Sequence, residues 1–389
     1  MKRFSTLIPL ALLLATACVA PKEKDFETPL PAGAAALLEW DGAWPEMTSA
    51  WYDRDELMPA LERSIEWTDR DYARNFFPIE GVTHHRALDS LLRFRELLLE
   101  AHDARSFERA VQREYQVYTS AGWDGKGGGV LFTGYCTPIL DGSSVATAEF
   151  AYPLYALPDD LVKNSDGSIQ GRRTADGIEP YPARSVIEAN STLAGRGLEL
   201  VWLRDPIDAF IAHVNGSAFV RLPDGQMARF GYAGTNGREY TSLGRELVSA
   251  GRLQRGTVNL KTIRGWARQH PDEVDDFLNR NERFVFFTPI TGNPRGSLNV
   301  EVTGGRTLAT DKSLFPRGAL VYVDTHLPGA EYTDGEEYHR VMLDQDTGGA
   351  IRTAGRADIY LGVGDHAEEL AGTTRVEGQL YYLFLRDDR

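Results

Sequence analysis

Cysteine is nearly absent from this chain: its 389 residues include two, beside eight histidines and five methionines. A disulfide framework needs several cysteines, and a zinc site needs Cys and His at short spacing, so neither is visible here. Long apolar runs are also scarce. The one that stands out, Leu7 to Ala15, is far shorter than the about 20 residues a bilayer-spanning helix requires. No repeat of solenoid length occurs. Positive charge is in deficit, with 42 Lys and Arg against 56 Asp and Glu and a net charge of -14. Such a chain has no general attraction for a phosphate backbone, which argues against sequence-independent nucleic-acid binding. What is present is ordinary for a folded protein: 42% hydrophobic, 10% aromatic and 25% charged residues. The length suits about two to three domains.

The start of the chain is a separate object. Lys2 and Arg3 precede the apolar run, and small residues lead to Cys18, which reads as a secretory signal over residues 1–17. A cysteine directly after Ala15-Thr16-Ala17 is similar to a bacterial lipoprotein processing site. That resemblance implies cleavage before Cys18 and a lipid on its thiol. Cys136 would then be the one remaining cysteine, with no disulfide partner in the mature chain. Residues 18–39, rich in Pro, Lys, Glu and Ala, read as a tether.

Further on, apolar spacing predicts helices between Asp53 and about Asp103, where Leu57, Leu61 and Ile65 recur every four residues. Another helix is predicted over Ser106 to about Tyr118. From Val130 to Gly244 the chain reads as short aromatic strands, with a hairpin over Arg221–Phe230 turning at Pro223-Asp224-Gly225. Helices are predicted at Ser242–Ala250, Asn259–Gln269 and Pro271–Leu278. From Phe284 onward strands return: FVFFT, SLNVEV, RTLAT, ALVYVDT, HRVML, AIRTA, DIYLG and LYYLFL. The fold class expected is mainly β with helices (α+β), a late barrel beside a second, β-rich unit.

Chemistry is best sought in the last 80 residues. Asp311, Asp346 and Asp358 each sit where a strand gives way to glycine or a turn, which leaves a carboxylate uncovered. Turn capping explains any one of them equally well. Asp346-Thr347-Gly348 also carries the aspartic-protease signature, in which two such loops share one proton. The polar Asp344 and Gln345 before it, and the lack of a second such loop, speak against that reading.

In these residues the chain resembles the membrane-bound lytic murein transglycosylase A family. The carrying stretches run in order from about Val130 to Leu385: FTGYCTPIL, YPLYALPDDLV, GRGLELVWLRDPIDAF, GSAFVRLPDG, FGYAGTNGREYTSLGREL, RFVFF, GGRTLATDKSLFPRGALVYVDT and QDTGGAIRTAGRADIYLGVGDHAEELAG. The last two resemble the three-aspartate (3D) domain. The resemblance implies two domains flanking a groove. A double-psi β-barrel with helices would be built from 40–135 and 245–389, and a smaller β-rich insertion from 136–244.

The resemblance also implies the activity. The family cleaves the β-1,4 bond between N-acetylmuramic acid and N-acetylglucosamine in peptidoglycan without water, because the muramoyl C6 hydroxyl attacks its own C1 and leaves a 1,6-anhydro ring. Glycosidases need two carboxyl groups. An intramolecular nucleophile has a high effective concentration, so one carboxyl can act as acid and then as base. By resemblance that carboxyl is Asp358. It must start protonated although a free Asp has a pKa of about 3.9, so burial and a neighbouring carboxylate, Asp346, are expected to raise it. Asp346 is expected to shape the site.

Asp311 is expected to support a barrel loop or contact the substrate, with a direct catalytic role as the alternative. Tyr135, Thr137, Asn215, Ser217, Tyr232, Asn236 and Tyr240 match groove positions of the family and are the expected glycan contacts. Arg184 could hold a substrate carboxylate or a structural salt bridge, and Glu188 and Asp208 read as structural. Three departures touch subsites: His213-Val214-Asn215-Gly216-Ser217-Ala218 replaces a Gln-x-Gln-Gly-Ser-Gly pattern, Cys136 replaces a second Tyr, and Lys312 and Arg317 replace Pro and Leu. No cofactor or metal is expected. The partners expected are peptidoglycan glycan strands and, through the N-terminal lipid, the outer membrane at its periplasmic face. A non-catalytic peptidoglycan-binding lipoprotein is the alternative.

Overall fold

A computed structural model describes residues 24–164, 167–189, 192–255, 257–328 and 336–387. Cys18 and the expected signal lie outside these residues. In chain order, β1 (Leu37–Glu39) is followed by helices α1 (Thr48–Tyr52), α2 (Arg54–Thr68), α3 (His84–Glu100) and α4 (Ala104–Glu114), and then by β2 (Tyr115–Ser120) and β3 (Val130–Thr137). Helix α4 starts on a capping box in which Asp103 and Ser106 serve each other's backbone N–H groups. It ends at Glu114, four residues before the expected Tyr118. From Tyr115 the side chains alternate between buried and half-buried, and that period of two, in a run rich in aromatic and β-branched residues, makes a strand.

The middle of the chain supplies β4 (Ile139–Ser143), β5 (Tyr152–Tyr155), β6 (Leu161–Lys163), β7 (Ile169–Thr174), β8 (Gly177–Glu179), α5 (Arg184–Ala189), β9 (Glu199–Leu203), α6 (Pro206–Asn215), β10 (Ala218–Arg221) and β11 (Met227–Thr235). Helices α7 (Leu243–Ser249), α8 (Leu260–Gln269) and α9 (Val274–Asn279) and strand β12 (Val285–Pro289) complete it. The hairpin forms as expected, β10 pairing antiparallel with β11 around Pro223-Asp224-Gly225. One sheet runs β12-β11-β10-β4-β9-β5, and β6-β7-β8 form a small second one. This sheet extends past residues 136–244. Strand β12 pairs with β11, and α7, α8 and α9 bury Leu243, Leu247, Ile263, Trp266 and Phe277 against Phe210 and Ile211 of α6.

The last part holds β13 (Thr307–Ala309), β14 (Leu320–Leu327), β15 (Glu336–Asp346), β16 (Arg356–Val363), α10 (Asp365–Thr373) and β17 (Arg375–Leu385). In the order β17-β14-β15-β13-β16-β3, with β3 pairing back onto β17, six strands close a barrel. Its parallel contacts are β13 with β15 and β16 with β3. Phe132, Leu308, Val321, Val323, Met342, Ala357, Ile359 and Tyr382 fill the interior. Helices α1–α4 cover one outer side, burying Leu61, Phe94 and Phe107 with Tyr322, Val341 and Leu383. The architecture is α+β.

Two local expectations fail. The stretch SLNVEV makes only an isolated bridge, Arg295 with Glu301, because Asn299 takes a left-handed backbone (φ 56°) that ends extension. AIRTA is irregular, with Ile351, Thr353 and Ala354 buried in a loop. In the described part of the segment read as a tether, Phe26 and Ala36 are buried and β1 extends the sheet through β2.

Candidate active site

The register of the barrel brings the two late aspartates together. Ala309 on β13 is the partner of Asp346 on β15 and of Asp358 on β16, and Asp358 is the partner of Thr133 on β3. Asp346, Ala309, Asp358 and Thr133 thus form one row across four adjacent strands. At about 4.8 Å per strand, the two aspartate backbones lie roughly 10 Å apart. A register shift between Leu308 and Ala309 makes the row possible. It places Gln345 in a bulge, where its side chain hydrogen-bonds Ala60, Ser64 and Thr307. Asp344 turns into the barrel, and Asp346 reaches the opposite, open rim. The polar pair before Asp346 is therefore a product of the bulge.

Asp358 stands between Ala357 and Ile359, both in the barrel core. Alternation puts its carboxyl on the outer face, where 19% of its side chain is exposed. The Thr133 hydroxyl donates a hydrogen bond to its Oδ1. The Arg356 Nη2 lies 3.6 Å from the same oxygen. A Cβ placed on Gly348 would come within 4.0 Å of Oδ2, so the glycine loop after Asp346 passes close over the free side of the carboxyl.

Asp346 accepts three hydrogen bonds. The Tyr135 hydroxyl donates to Oδ2 at 2.7 Å, and the backbone N–H groups of Ser297 and Thr347 each donate to Oδ1 at 2.8 Å. Burial nonetheless pushes its carboxyl above the ordinary range, against the opposing pull of these hydrogen bonds. The Tyr135 phenol is held well above its ordinary value by burial and the adjacent Asp346 charge. The Tyr135 ring lies 5.1 Å from that of Tyr360. Below them, Thr137 shares hydrogen bonds with the Tyr360 hydroxyl at 2.8 Å and with Ser217 at 3.1 Å.

The other expected glycan contacts divide into two groups. Tyr240 reaches the site, its Cβ 3.6 Å from where a Cβ on Gly349 would lie, and burial raises its phenol. Tyr232 is half-exposed on β11, its ring against Gly216. Thr137 and Ser217 are buried and bonded to each other. Asn215 Oδ1 accepts from the Cys136 N–H at 3.3 Å, while its amide donates to Ile211.

Asn236 is buried and ties four backbone groups: its amide donates to the Pro182 and Glu282 carbonyls, and its oxygen accepts from the Phe284 and Arg238 N–H groups. Asp311 caps its own turn, accepting from the Ser313 N–H and hydroxyl at 3.0 and 2.6 Å. Arg184 is buried in a salt bridge with Glu188 at 2.8 Å and also contacts His213. Asp208 pairs with Arg264 at 2.9 Å. Cys136 is a buried thiol pushed up to about 12 by desolvation.

Sequence reasoning missed Thr133, Arg356 and Tyr360. The signal was available: Arg356 and Tyr360 lie two residues either side of Asp358 on a strand, and Thr133 lies two before Tyr135, so all share a face. It also missed the role of Lys312. This lysine lies inside the barrel, its ammonium on Asp344 and 3.0 Å from the Thr310 hydroxyl. Tyr382 donates to Asp344 at 2.9 Å. One strand of the network reaches the site, because Thr347 donates to the Thr310 carbonyl at 2.7 Å.

Fold and site define an α+β protein with a partly exposed aspartate, Asp358, on the outside of a closed barrel, next to a glycine loop that Tyr240 touches. The sequence profile of the MltA specific insert domain matches residues 131–288, and that of the 3D domain matches residues 306–384. The membrane-bound lytic murein transglycosylase A of Vibrio cholerae is 33% identical over 266 residues, 67% of either chain. The Escherichia coli protein of that name is 32% identical over 260 residues, 66% of either chain. Among solved structures, a membrane-bound lytic murein transglycosylase from Agrobacterium tumefaciens superposes with a TM-score of 0.76 at 28% identity, covering 90% of this chain and 98% of that one. E. coli MltA with bound chitohexaose superposes with a TM-score of 0.67 at 25% identity, covering 93% and 96%. The chain belongs to the membrane-bound lytic murein transglycosylase A family.

Proposed function

We propose that the protein is a peptidoglycan lytic transglycosylase in which Asp358 acts first as general acid and then as general base. The observation that carries this reading is the placement of Asp358: outside the barrel core, partly exposed, with one oxygen held by Thr133 and the other under the Gly348 loop. Protonated Asp358 delivers its proton to the glycosidic oxygen between N-acetylmuramic acid and N-acetylglucosamine. The carboxylate left behind takes the proton of the muramoyl C6 hydroxyl as that oxygen closes on C1. A hydrolytic route needs a second carboxylate free to activate water. Asp346 does not fit that role, because both its oxygens are occupied by three donors. It serves instead to fix Tyr135 and the glycine loop. Tyr135, Tyr232 and Tyr240 are assigned to sugar contact. Asn236, Thr137 and Ser217 are assigned to holding the groove wall in shape.

The relatives' names describe membrane-bound murein enzymes, and one solved relative holds chitohexaose. By analogy the substrate here is the glycan strand of peptidoglycan, and the protein acts in the periplasm, anchored to the outer membrane through a lipid on Cys18. No helix among the described residues is long and apolar enough to cross a membrane. The second domain is taken to run from β4 through β12, with the barrel formed by the segments on either side.

Incubation with purified murein sacculi tests the reading. Products ending in 1,6-anhydro-N-acetylmuramic acid, read by mass, are expected from the wild type and lost in Asp358→Asn, whose melting curve should stay cooperative. Reducing-end products would identify a hydrolase. Binding to sacculi with no cleavage would identify the non-catalytic lipoprotein. Full activity in D358N would remove Asp358 from the mechanism.

A further inference from the structure

The N-terminal strap touches the site. Phe26 is buried, edge-on to Trp123 with ring centroids 6.4 Å apart, and its carbonyl accepts from the Thr353 hydroxyl at 2.8 Å. These contacts fix the next residue, Glu27, between two arginines from different parts of the fold. Glu27 Oε1 lies 3.1 Å from Nη1 of Arg356 on β16, and Oε2 lies 3.8 Å from Nη1 of Arg245 on α7. The other terminal nitrogen of Arg356, Nη2, donates to the Thr133 hydroxyl at 3.2 Å and stays 3.6 Å from Asp358 Oδ1. The Arg356 Nε is buried without a partner.

We infer that Glu27 is a positioning residue for the reaction: its carboxylate draws the Arg356 guanidinium aside, so that Arg356 cannot close on Asp358 as a two-pronged ion pair. The inference rests on the role proposed above for Asp358. A guanidinium prefers to grip one carboxylate with two parallel N–H groups. Arg356 instead splits its fork between Glu27 and the Thr133 hydroxyl, with Asp358 at the margin. Without the Glu27 charge, the nearest anion left to Arg356 is Asp358. A close Arg favours the ionised form of an aspartate by about 1–3 pKa units, which deprives a general acid of its proton at working pH. The groups facing Asp358 are Arg356 on its own strand, Thr133 and Tyr135 on β3, Asp346 at the end of β15, and Tyr240 between β11 and α7. Behind them stand Arg245 and Glu27 itself.

The test compares wild type, Glu27→Gln, Glu27→Asp and Glu27→Gln/Arg356→Gln on sacculi across pH, with a melting curve for each. Because the acid must be protonated, activity falls as pH rises through its titration. E27Q is expected to move that descending limb down by about one unit, lowering kcat near neutrality with KM little changed. E27D, which keeps the charge, should track the wild type, and the double variant should lose the shift. An unshifted limb in folded E27Q, or a shift that persists in the double variant, overturns the inference. A carbon-13 titration of the Asp358 carboxyl in wild type and E27Q reads the same coupling without activity. It therefore decides the inference even if the wild type yields no anhydro products, a result that would count against the proposed function alone.

Discussion

Asp346 and Asp358 lie twelve residues apart in the chain and two strands apart in the barrel, and their surroundings divide their roles. Asp346 accepts three hydrogen bonds and is raised by burial. A carboxyl whose folded titration lies above its unfolded value of about 3.9 binds its proton more tightly in the native state, so ionisation disfavours folding as pH rises through that window. Asp346→Asn, nearly isosteric and unable to ionise, removes this effect. Urea titrations of both proteins from pH 3 upward should therefore show the wild type losing stability relative to D346N as pH climbs past about 4. A difference that is flat with pH would mean the Asp346 proton is unperturbed by folding. Glycan cleavage should fall in D346N through misplacement of Tyr135 and the Gly348 loop.

At the scale of elements, the bulge in β15 sends three consecutive polar residues in three directions: Asp344 into the barrel, Gln345 to α2, Asp346 to the site. Lys312 answers Asp344 inside the barrel, and burial lowers the lysine while raising the aspartate. Lys312→Met leaves a carboxyl without its cation in an apolar interior and should cost about 3–5 kcal/mol in urea unfolding. K312M/D344N should recover much of that loss, because no charge then remains to be satisfied; additive losses in the double variant would mean the two groups do not interact.

This network was illegible in the sequence, where Lys312 stood only as a departure from a family pattern. Period-two alternation does not announce a bulge, and a buried lysine contradicts the general rule for charged residues. The strands themselves were legible, since DIYLG, ALVYVDT and LYYLFL are dense in β-branched and aromatic residues. So were the capped helices. The closed barrel, the row of four register partners and the strand added at Val285–Pro289 are long-range pairings, which local pattern does not encode. Of the site, Asp346, Asp358, Tyr135 and Tyr240 were named by motif. Asn236 was named with them, and its side chain makes four hydrogen bonds to backbone groups.

For the whole molecule, the placement of the chain's start matters most. If Cys18 carries the anchor, cell fractionation should find the wild type with outer membranes and Cys18→Ser released with the soluble periplasmic proteins. A C18S variant that stays with the membrane would place the anchor elsewhere. The composition of residues 18–39 suggests a leash some 70 Å long when stretched. The docking of Phe26 against Trp123 shortens it to the eight steps between residues 18 and 26, a reach of at most about 28 Å. If Cys18 carries a lipid, a mooring that short would keep Asp358 within a narrow shell above the lipid headgroups, so that the enzyme would work on the sheet of wall facing its own membrane and leave strands deeper in the wall beyond its range.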